Sequence, residues 1–266
     1  MNVTVLTENT ACKPEFHTVH GLSLLLKTQG RRILMDVGPG AEFLENAKLL
    51  GEDLDQVSVC VISHGHDDHG GGLRYFLEEN RHAPIYLAEK AFERHFAGRG
   101  EIGLDPELKR HPQVRLTGPL LELDSQVTLF SQVPGQELVP AANAGLLEGN
   151  GPDAFLHEQD MLIWEEDRLY LFGGCAHRGI VNIMEHAKRL AGRYPDVVVS
   201  GFHLAAGGAG RCMADEGYLD ALARRLLDTG AQFYSCHCTG PEALDKLRAR
   251  MGNRLQAIST GMVLEP

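Results

Sequence analysis

The sequence Ser63-His64-Gly65-His66-Asp67-Asp68-His69 follows the apolar run 57–62 and precedes three glycines at 70–72. The apolar run predicts a buried strand, and the glycines let backbone pass close to the turn that follows it. Imidazole and carboxylate groups are the usual ligands of zinc and similar divalent metals. At the end of a strand, His64 and His66 project to the same side and can share one ion. The stretch therefore predicts a metal site, which is favoured over a His-rich surface turn.

The charge of the chain limits the classes of partner that it can bind. Its 266 residues include 25 Lys or Arg and 36 Asp or Glu, which gives a formal charge of −11. A protein that coats nucleic acid needs a basic field, so this charge argues against a nucleic-acid partner. A small anionic substrate needs only a few local cations and is the partner that we expect. The oligomeric state is left open.

The N-terminus and the cysteines predict a cytoplasmic protein. Residues 1–7 alternate as a strand does and lack the basic and apolar segments of a signal peptide. No run approaches the roughly 18 apolar residues that a membrane span requires, so no membrane partner is expected. The six cysteines show no compact disulfide framework, which favours reduced thiols.

The chain shows no linker and no repeat of fixed period, and a single domain over residues 1–266 is predicted. Residues 89–97 predict a short helix. Residues 98–113 are rich in glycine, proline and charge, which predicts a surface excursion that could serve as a lid. His95 and His111, near the borders of that segment, are predicted to be solvated.

A long loop is predicted over residues 134–160. This segment contains three prolines and four glycines and has little periodicity. A loop of this length in a compact domain is usually functional or disordered.

Histidines follow apolar strand patterns at several later points of the chain. His177, His203 and His237 each come after such a strand. Ligands gathered from separate strand ends are typical of an open catalytic metal site, whereas a structural zinc site favours closely spaced Cys and His pairs. Asp36, at the end of another predicted strand, is interpreted either as an acceptor that orients a ligand histidine or as a turn or cap residue.

The stretch from His64 to His69 resembles the His-x-His-x-Asp-His signature of the metallo-β-lactamase superfamily. Asp36-x-Gly38 resembles the early aspartate motif of that superfamily, and the late histidines fall in the expected order. The resemblance implies an α/β fold, a four-layer αβ/βα sandwich with two mixed β-sheets and outer helices. It also implies one or two divalent metal ions, with zinc favoured and iron or manganese left open.

Further stretches resemble the branch named for 7,8-dihydropterin-6-methyl-4-(β-D-ribofuranosyl)aminobenzene-5′-phosphate synthase. These stretches are Gly21-Leu22-Ser23, residues 63–66, Glu158-Gln159, and residues 174–182, 201–204 and 237–240. The branch name implies condensation of a pterin pyrophosphate with an aminobenzene ribofuranosyl phosphate.

The resemblance also implies roles for individual residues. The implied metal ligands are His64, His66, Asp68, His69, His177 and His237. Asp68 is also the predicted catalytic residue, because it could hold both the metal and the nucleophile and receive a proton. Arg178 and His203 are predicted to bind substrate, and Arg211 is a further candidate anchor for a phosphate. The alternatives are a metal ligand or a core histidine for His203 and a solvated surface residue for each arginine. The loop 205–210 could offer backbone amides to an anion.

The chain departs from the wider superfamily pattern at one strand end. Many members have a bridging aspartate where this sequence has Cys175, and a ligand histidine upstream of it. Cys175 could coordinate as a thiolate, and His157 could fill the upstream position. The alternatives are a buried thiol and a loop histidine.

The residues and the resemblance together predict a metal-dependent hydrolase that uses a metal-activated water. The expected substrate is a small phosphate- or ester-bearing metabolite, with a pterin as one candidate. A glyoxalase-type thioester hydrolase and a phosphodiesterase are alternatives within the same class. A non-catalytic metal-binding scaffold is the alternative from another class.

Overall fold

The computed structural model describes residues 1–98, 100–206 and 210–266. Contacts within the chain divide it into two compact units. The first unit consists of residues 1–119, 146–159 and 258–266, and the second of residues 120–145 and 160–257. Each unit is therefore assembled from separate pieces of the chain.

The strands of the described residues are, in chain order, β1 (Asn2–Thr7), β2 (Ser23–Thr28), β3 (Arg31–Met35), β4 (Val59–Val61), β5 (Ile85–Ala88), β6 (His95–Ala97), β7 (Gly100–Glu101), β8 (Val114–Thr117), β9 (Leu120–Glu122), β10 (Val127–Ser131), β11 (Leu147–Glu148), β12 (Gly151–Pro152), β13 (Gln159–Glu165), β14 (Arg168–Phe172), β15 (Val197–Val199), β16 (Ala205–Ala206), β17 (Arg211–Cys212), β18 (Gln232–Ser235), β19 (Leu255–Ala257) and β20 (Val263–Leu264).

The α-helices of the same residues are α1 (Glu42–Leu49), α2 (Asp67–Gly70), α3 (Leu73–Glu79), α4 (Ile180–Ala191), α5 (Glu216–Leu227) and α6 (Pro241–Met251). Single 3-10 turns are Leu54–Gln56, Pro106–Arg110, Ala141–Asn143, His237–Thr239 and Gly252–Arg254. No helix among the described residues is long and apolar enough to cross a membrane.

The main sheet of the first unit is mixed. Its described strands follow the order β20-β1-β2-β3-β4-β5-β8, with antiparallel pairs from β20 to β3 and parallel pairs from β3 to β8. On β3 and β4, Met35 lies opposite Val61. Because these two strands run parallel, the segments that follow them leave the sheet at the same edge. Asp36 and the stretch that begins at Ser63 therefore lie at that edge.

The core of the first unit forms where α1 and α3 bury apolar side chains. Phe43 and Ala47, four residues apart on α1, are buried together with Phe76 of α3. They join apolar side chains of the sheet such as Leu25 and Leu34. Burial of apolar surface of this kind is the main stabilising contribution to such a core.

The main sheet of the second unit is also mixed, in the order β19-β18-β15-β14-β13-β10-β9 for the described residues. The strands β14, β15, β18 and β19 run parallel, whereas β13 pairs antiparallel with β14. Phe172, Val199 and Tyr234 are neighbours across three parallel strands. The polar segments that follow these strands therefore leave the sheet at one edge.

The helices α4, α5 and α6 contribute to the core of the second unit. On α4, Ile180, Ile183, Met184 and Ala187 follow the spacing of one helix face and are all buried. The helix ends at Gly192, whose φ of 80° is the left-handed conformation common at helix C-termini. Leu222 and Leu247 contribute to the same core from α5 and α6.

Three predicted segments contain strands in the structure. The helix predicted over residues 89–97 is wrong, because residues 95–97 form β6, which pairs with β11 and β7. The loop predicted over residues 134–160 contains β11, β12 and a 3-10 turn. The proposed lid 98–113 contains β7 and the 3-10 turn at 106–110, while Arg99 lies outside the described residues.

A buried asparagine ties α1 to the chain around it. The Nδ2 group of Asn46 donates hydrogen bonds to the carbonyl oxygens of Leu6 and His17, both at 2.8 Å. Its Oδ1 accepts from the backbone N–H of His17 at 2.9 Å. Asn46 is fully buried, so the loss of these bonds would leave polar groups without water.

We expect Asn46→Ala to lower the free energy of unfolding by about 1–3 kcal/mol, because it leaves the buried Leu6 carbonyl without its donor. Urea unfolding followed by circular dichroism measures this change. Asn150→Ala, at an exposed turn residue of the same unit, is the matched control and should change stability by less than about 0.5 kcal/mol. Equal stabilities of the two variants would contradict the expectation.

Candidate metal centre

Asp36 is the centre of a buried hydrogen-bond network in the first unit. It follows β3 with a φ of 59°, a left-handed conformation that residues other than glycine rarely adopt. Its Oδ1 accepts from the Ser63 backbone N–H at 2.7 Å, and its Oδ2 accepts from the Ser63 hydroxyl at 2.7 Å. The same Oδ2 lies 2.6 Å from Nδ1 of His69. The predicted role as an acceptor that orients a histidine therefore agrees with the structure.

This network determines which nitrogen carries the proton in two histidines. An ionised carboxylate only accepts, so Nδ1 of His69 donates to it. The single hydroxyl proton of Ser63 goes to Asp36, so the Ser63 oxygen accepts from Nδ1 of His64, 2.9 Å away. The Nε2 atoms of His64 and His69 therefore carry lone pairs, as imidazole must in order to bind a metal.

Three histidines of the stretch lie close together in the first unit. The ring centroid of His64 lies 4.2 Å from that of His69 and 4.6 Å from that of His66. Burial, together with neighbouring histidines, holds the pKa of His64 well below its ordinary value. Burial also lowers the pKa of His66. Both rings are therefore neutral, which is the form that coordinates divalent metals.

Asp68 lies on α2, beside a histidine to which the sequence analysis gave no role. The Oδ2 atom of Asp68 lies 3.4 Å from Nε2 of His20. The two segments are also joined by their backbones, since Leu22 N–H donates to the Asp68 carbonyl oxygen at 3.2 Å. The only sequence signal for His20 was its position directly before the quoted stretch Gly21-Leu22-Ser23.

His157 is buried in the first unit, and hydrogen bonds engage both of its ring nitrogens. Its Nδ1 accepts from the Gly65 backbone N–H at 2.9 Å, so the proton lies on Nε2 and points to Asp153 Oδ2, 3.0 Å away. Burial lowers the pKa of His157 to about 3, so the ring is neutral. A neutral ring with this arrangement keeps no lone pair for a metal. The structure therefore favours a supporting role over the ligand role considered for His157.

His95 is also buried, so the prediction that it is solvated is wrong. Its Nδ1 lies 3.1 Å from Asp153 Oδ2, and its side chain is 0% exposed. The reason is the pairing of β6 with β11, which encloses the ring and which no local pattern indicated. Asp153 itself fell within the predicted loop.

In the second unit, Cys175, His177 and His203 come together. Their potential ligand atoms lie within 4.8 Å of one another, and the ring centroids of His177 and His203 are 4.1 Å apart. Asn143 fixes the orientation of His177, because its Oδ1 lies 3.0 Å from Nδ1 and its Nδ2 donates to the His177 carbonyl oxygen at 2.8 Å. Asn143 lies in the predicted loop and was not singled out.

Residues with left-handed backbone conformations lie at three strand ends of the second unit. Ala176, His203 and His237 have φ values of 54°, 47° and 49°. Such conformations cost energy in residues other than glycine and occur preferentially at functional sites. His237, buried on the 3-10 turn after β18, is thus in the same unit as His177 and His203.

The predicted anion contacts are only partly tested. The Arg178 guanidinium donates from Nε to the Val133 carbonyl oxygen at 3.0 Å and so supports the segment after β10. Its substrate role stays a prediction. Arg211 is exposed. In the loop 205–210, residues 207–209 lie outside the described residues.

Two known proteins are similar to this chain in sequence. An uncharacterized protein of Methanocaldococcus jannaschii, MJ0448, is 30% identical over 252 residues, covering 92% of this chain and 93% of that protein. The 7,8-dihydropterin-6-methyl-4-(β-D-ribofuranosyl)-aminobenzene-5′-phosphate synthase of the same organism is 27% identical over 278 residues, covering 94% and 91%.

A solved structure and a family model also match this chain. The crystal structure of Tm1679, a metal-dependent hydrolase of the β-lactamase superfamily, matches with a TM-score of 0.85 and 26% identity, covering 100% of this chain and 99% of that chain. This match confirms the predicted α/β, metallo-β-lactamase-like fold class. The model described as Metallo-beta-lactamase superfamily matches residues 18–181. The chain therefore belongs to the metallo-β-lactamase superfamily.

Proposed function

We propose that the protein is a metal-dependent hydrolase that acts, through a metal-activated water, on a small phosphate- or ester-bearing metabolite. The observation that carries the proposal is the Asp36–Ser63 network. It leaves a lone pair on Nε2 of both His64 and His69, within a stretch of buried, neutral imidazoles. A donor set of neutral imidazoles with a carboxylate fits a divalent ion of the zinc type.

The proposed ligands in the first unit are His64, His66, Asp68 and His69. His177 and His237 of the second unit are assigned as ligands on the likeness of their sequence stretches to the superfamily pattern. Zinc is the favoured metal, with iron or manganese as alternatives. A metal held by these residues would act as a Lewis acid and lower the pKa of water from about 15.7 towards ~7.

Asp68 is the proposed catalytic residue. Its carboxylate is 13% exposed, so a substrate or water molecule can reach it. His20, at 3.4 Å, can share or pass on a proton that Asp68 accepts. Proton transfer by such a pair would assist attack on an ester or phosphate group.

His203 and Arg178 are the proposed substrate contacts. Nδ1 of His203 is buried and has no hydrogen-bond partner in the part of the chain that the structure describes. A buried ring nitrogen of this kind is available to a ligand oxygen or hydroxyl group. The proposed substrate is accordingly a small anionic molecule, and neither nucleic acid nor a membrane is proposed as a partner.

A second candidate function is a synthase-type condensation of a pterin. One observation favours it, the 27% identity to the M. jannaschii 7,8-dihydropterin-6-methyl-4-(β-D-ribofuranosyl)-aminobenzene-5′-phosphate synthase over nearly the whole of both chains. Thioester and phosphodiester hydrolysis are the other catalytic outcomes. Metal binding without turnover of any of these substrates would favour the scaffold alternative.

Protein purified without chelators should contain one or two divalent metal ions per chain, and His66→Ala should contain fewer because it removes a ligand. Inductively coupled plasma mass spectrometry measures both. His82→Ala is the matched control, since His82 is an exposed histidine of the same unit. Fewer than about 0.2 ions per chain in the wild type, unchanged in His66→Ala, would rule out the ligand assignment.

We expect Asp68→Asn to lower kcat about 10²–10⁴-fold, because an amide cannot accept the proton. The rate is measured with a panel of phosphodiester, thioester and pterin substrates. Asp55→Asn, at an exposed aspartate, should keep wild-type activity. Full activity of Asp68→Asn with the preferred substrate would exclude Asp68 as the catalytic residue.

A further inference from the structure

One buried carboxylate of the first unit is surrounded by histidines that the proposed function does not use. The side chains of Asp153, His95 and His157 are 0% exposed. We call these three residues the Asp153 cluster. His66 lies beside it, with Nε2 4.0 Å from Asp153 Oδ2, and potential ligand atoms of all four residues lie within 4.8 Å of one another.

Hydrogen bonds use both oxygens of the Asp153 carboxylate. Its Oδ1 accepts from the Phe155 backbone N–H at 2.6 Å. Its Oδ2 accepts from Nε2 of His157 at 3.0 Å and from Nδ1 of His95 at 3.1 Å. All three of these bonds are donated to the carboxylate, which is the acceptor role of its ionised form. The carboxylate is therefore ionised.

This bonding argues against a metal ion inside the Asp153 cluster. His157 offers no lone pair, because Nδ1 accepts from Gly65 and Nε2 carries the proton. Asp153 Oδ2 already accepts two hydrogen bonds. Most lone pairs of the cluster are therefore committed to hydrogen bonds, which leaves too few for a separate ion.

One acceptor of the cluster is still unused. Because Nδ1 of His95 donates to Asp153, Nε2 of His95 carries a lone pair. That atom is buried and has no hydrogen-bond partner among residues 1–98, 100–206 and 210–266. The rings of His95 and His66 have centroids 5.5 Å apart at an angle of 73°. The unused acceptor thus lies on a ring that is packed against a proposed metal ligand.

We infer that His95, held by Asp153, is a positioning residue whose Nε2 accepts the Nε2 proton of His66 and orients the His66 ring towards the metal. A proton on Nε2 leaves Nδ1 as the coordinating atom of His66, in contrast to Nε2 for His64 and His69. An acceptor for the second ring N–H of a metal-bound histidine fixes the ring and raises its basicity. This inference rests on the proposed metal-binding function.

The same cluster also fixes the backbone between two proposed ligands. His157, held by Asp153, accepts from the N–H of Gly65, which lies between His64 and His66. A Cβ atom at position 65 would collide with the Ala91 carbonyl oxygen, so only glycine allows this approach. Asp153 thus acts on His66 through the ring and through the backbone.

The test compares metal affinity and ligand field in Asp153→Asn and in the wild type. An amide has an NH₂ group in place of one oxygen, so either the Phe155 N–H or both imidazole N–H groups would lose their acceptor. We expect affinity for zinc, measured by competition with a chromophoric chelator, to fall about 10–100-fold. The number of ions bound at saturation should not change. The visible absorption spectrum of the cobalt(II)-loaded protein should shift, since the geometry at His66 changes.

Two further variants separate positioning from loss of stability. Asn80→Ser alters a buried residue of the same unit, which donates to the carbonyl oxygens of Leu54 and Val57, and should leave affinity and spectrum unchanged. His95→Phe removes the unused acceptor at similar volume and should lower affinity without loss of an ion. If Asp153→Asn does not fold, His95→Phe is the variant that tests the inference.

Each outcome decides between the inference and its alternatives. Wild-type affinity and spectrum in both Asp153→Asn and His95→Phe would overturn the inference and leave the proposed function intact. Loss of one whole ion per chain in either variant would overturn it in favour of a metal site within the cluster. A wild-type protein that binds no metal would overturn the proposed function, and the inference with it.

Discussion

The buried carboxylate of Asp36 is the constraint on which the candidate metal centre depends. An ionised group cannot stay buried without partners, and three hydrogen bonds from Ser63 and His69 supply them. The same bonds join the chain after β3 to the chain after β4. The ring orientations of His64 and His69 follow from this one contact. The Asp36 φ of 59° is the conformational cost of directing the carboxylate there.

Two buried carboxylates of the first unit accept hydrogen bonds from its histidines. Asp36 determines the protonation of His64 and His69, and Asp153 determines that of His95 and His157. A buried polar network of this type specifies one arrangement only if nearly every member is satisfied. The single unsatisfied atom in the Asp153 cluster, Nε2 of His95, is therefore informative.

Sequence patterns predicted the fold class and the stretch from His64 to His69, because both depend on a local motif. For Asp36 the sequence left two roles open, an acceptor that orients a histidine or a turn or cap residue. Its contact with His69 supports the first role. Asp153 and Asn143 were not predicted, because strands of two residues have no periodicity and their segment looked like a loop. His95 was misjudged for a related reason. Its burial depends on pairing with β11, which is distant in sequence.

The pairing of β20 with β1 within the first unit has a consequence for synthesis on the ribosome. The strand β20 pairs with β1, and the backbone N–H of Val5 donates to the Met262 carbonyl oxygen at 2.9 Å. The edge of the first sheet therefore stays open until nearly the whole sequence has emerged. Pairings between such distant segments form slowly and leave apolar strand edges exposed in the meantime. Until β20 has been synthesised, the edge of β1 can therefore pair with other chains.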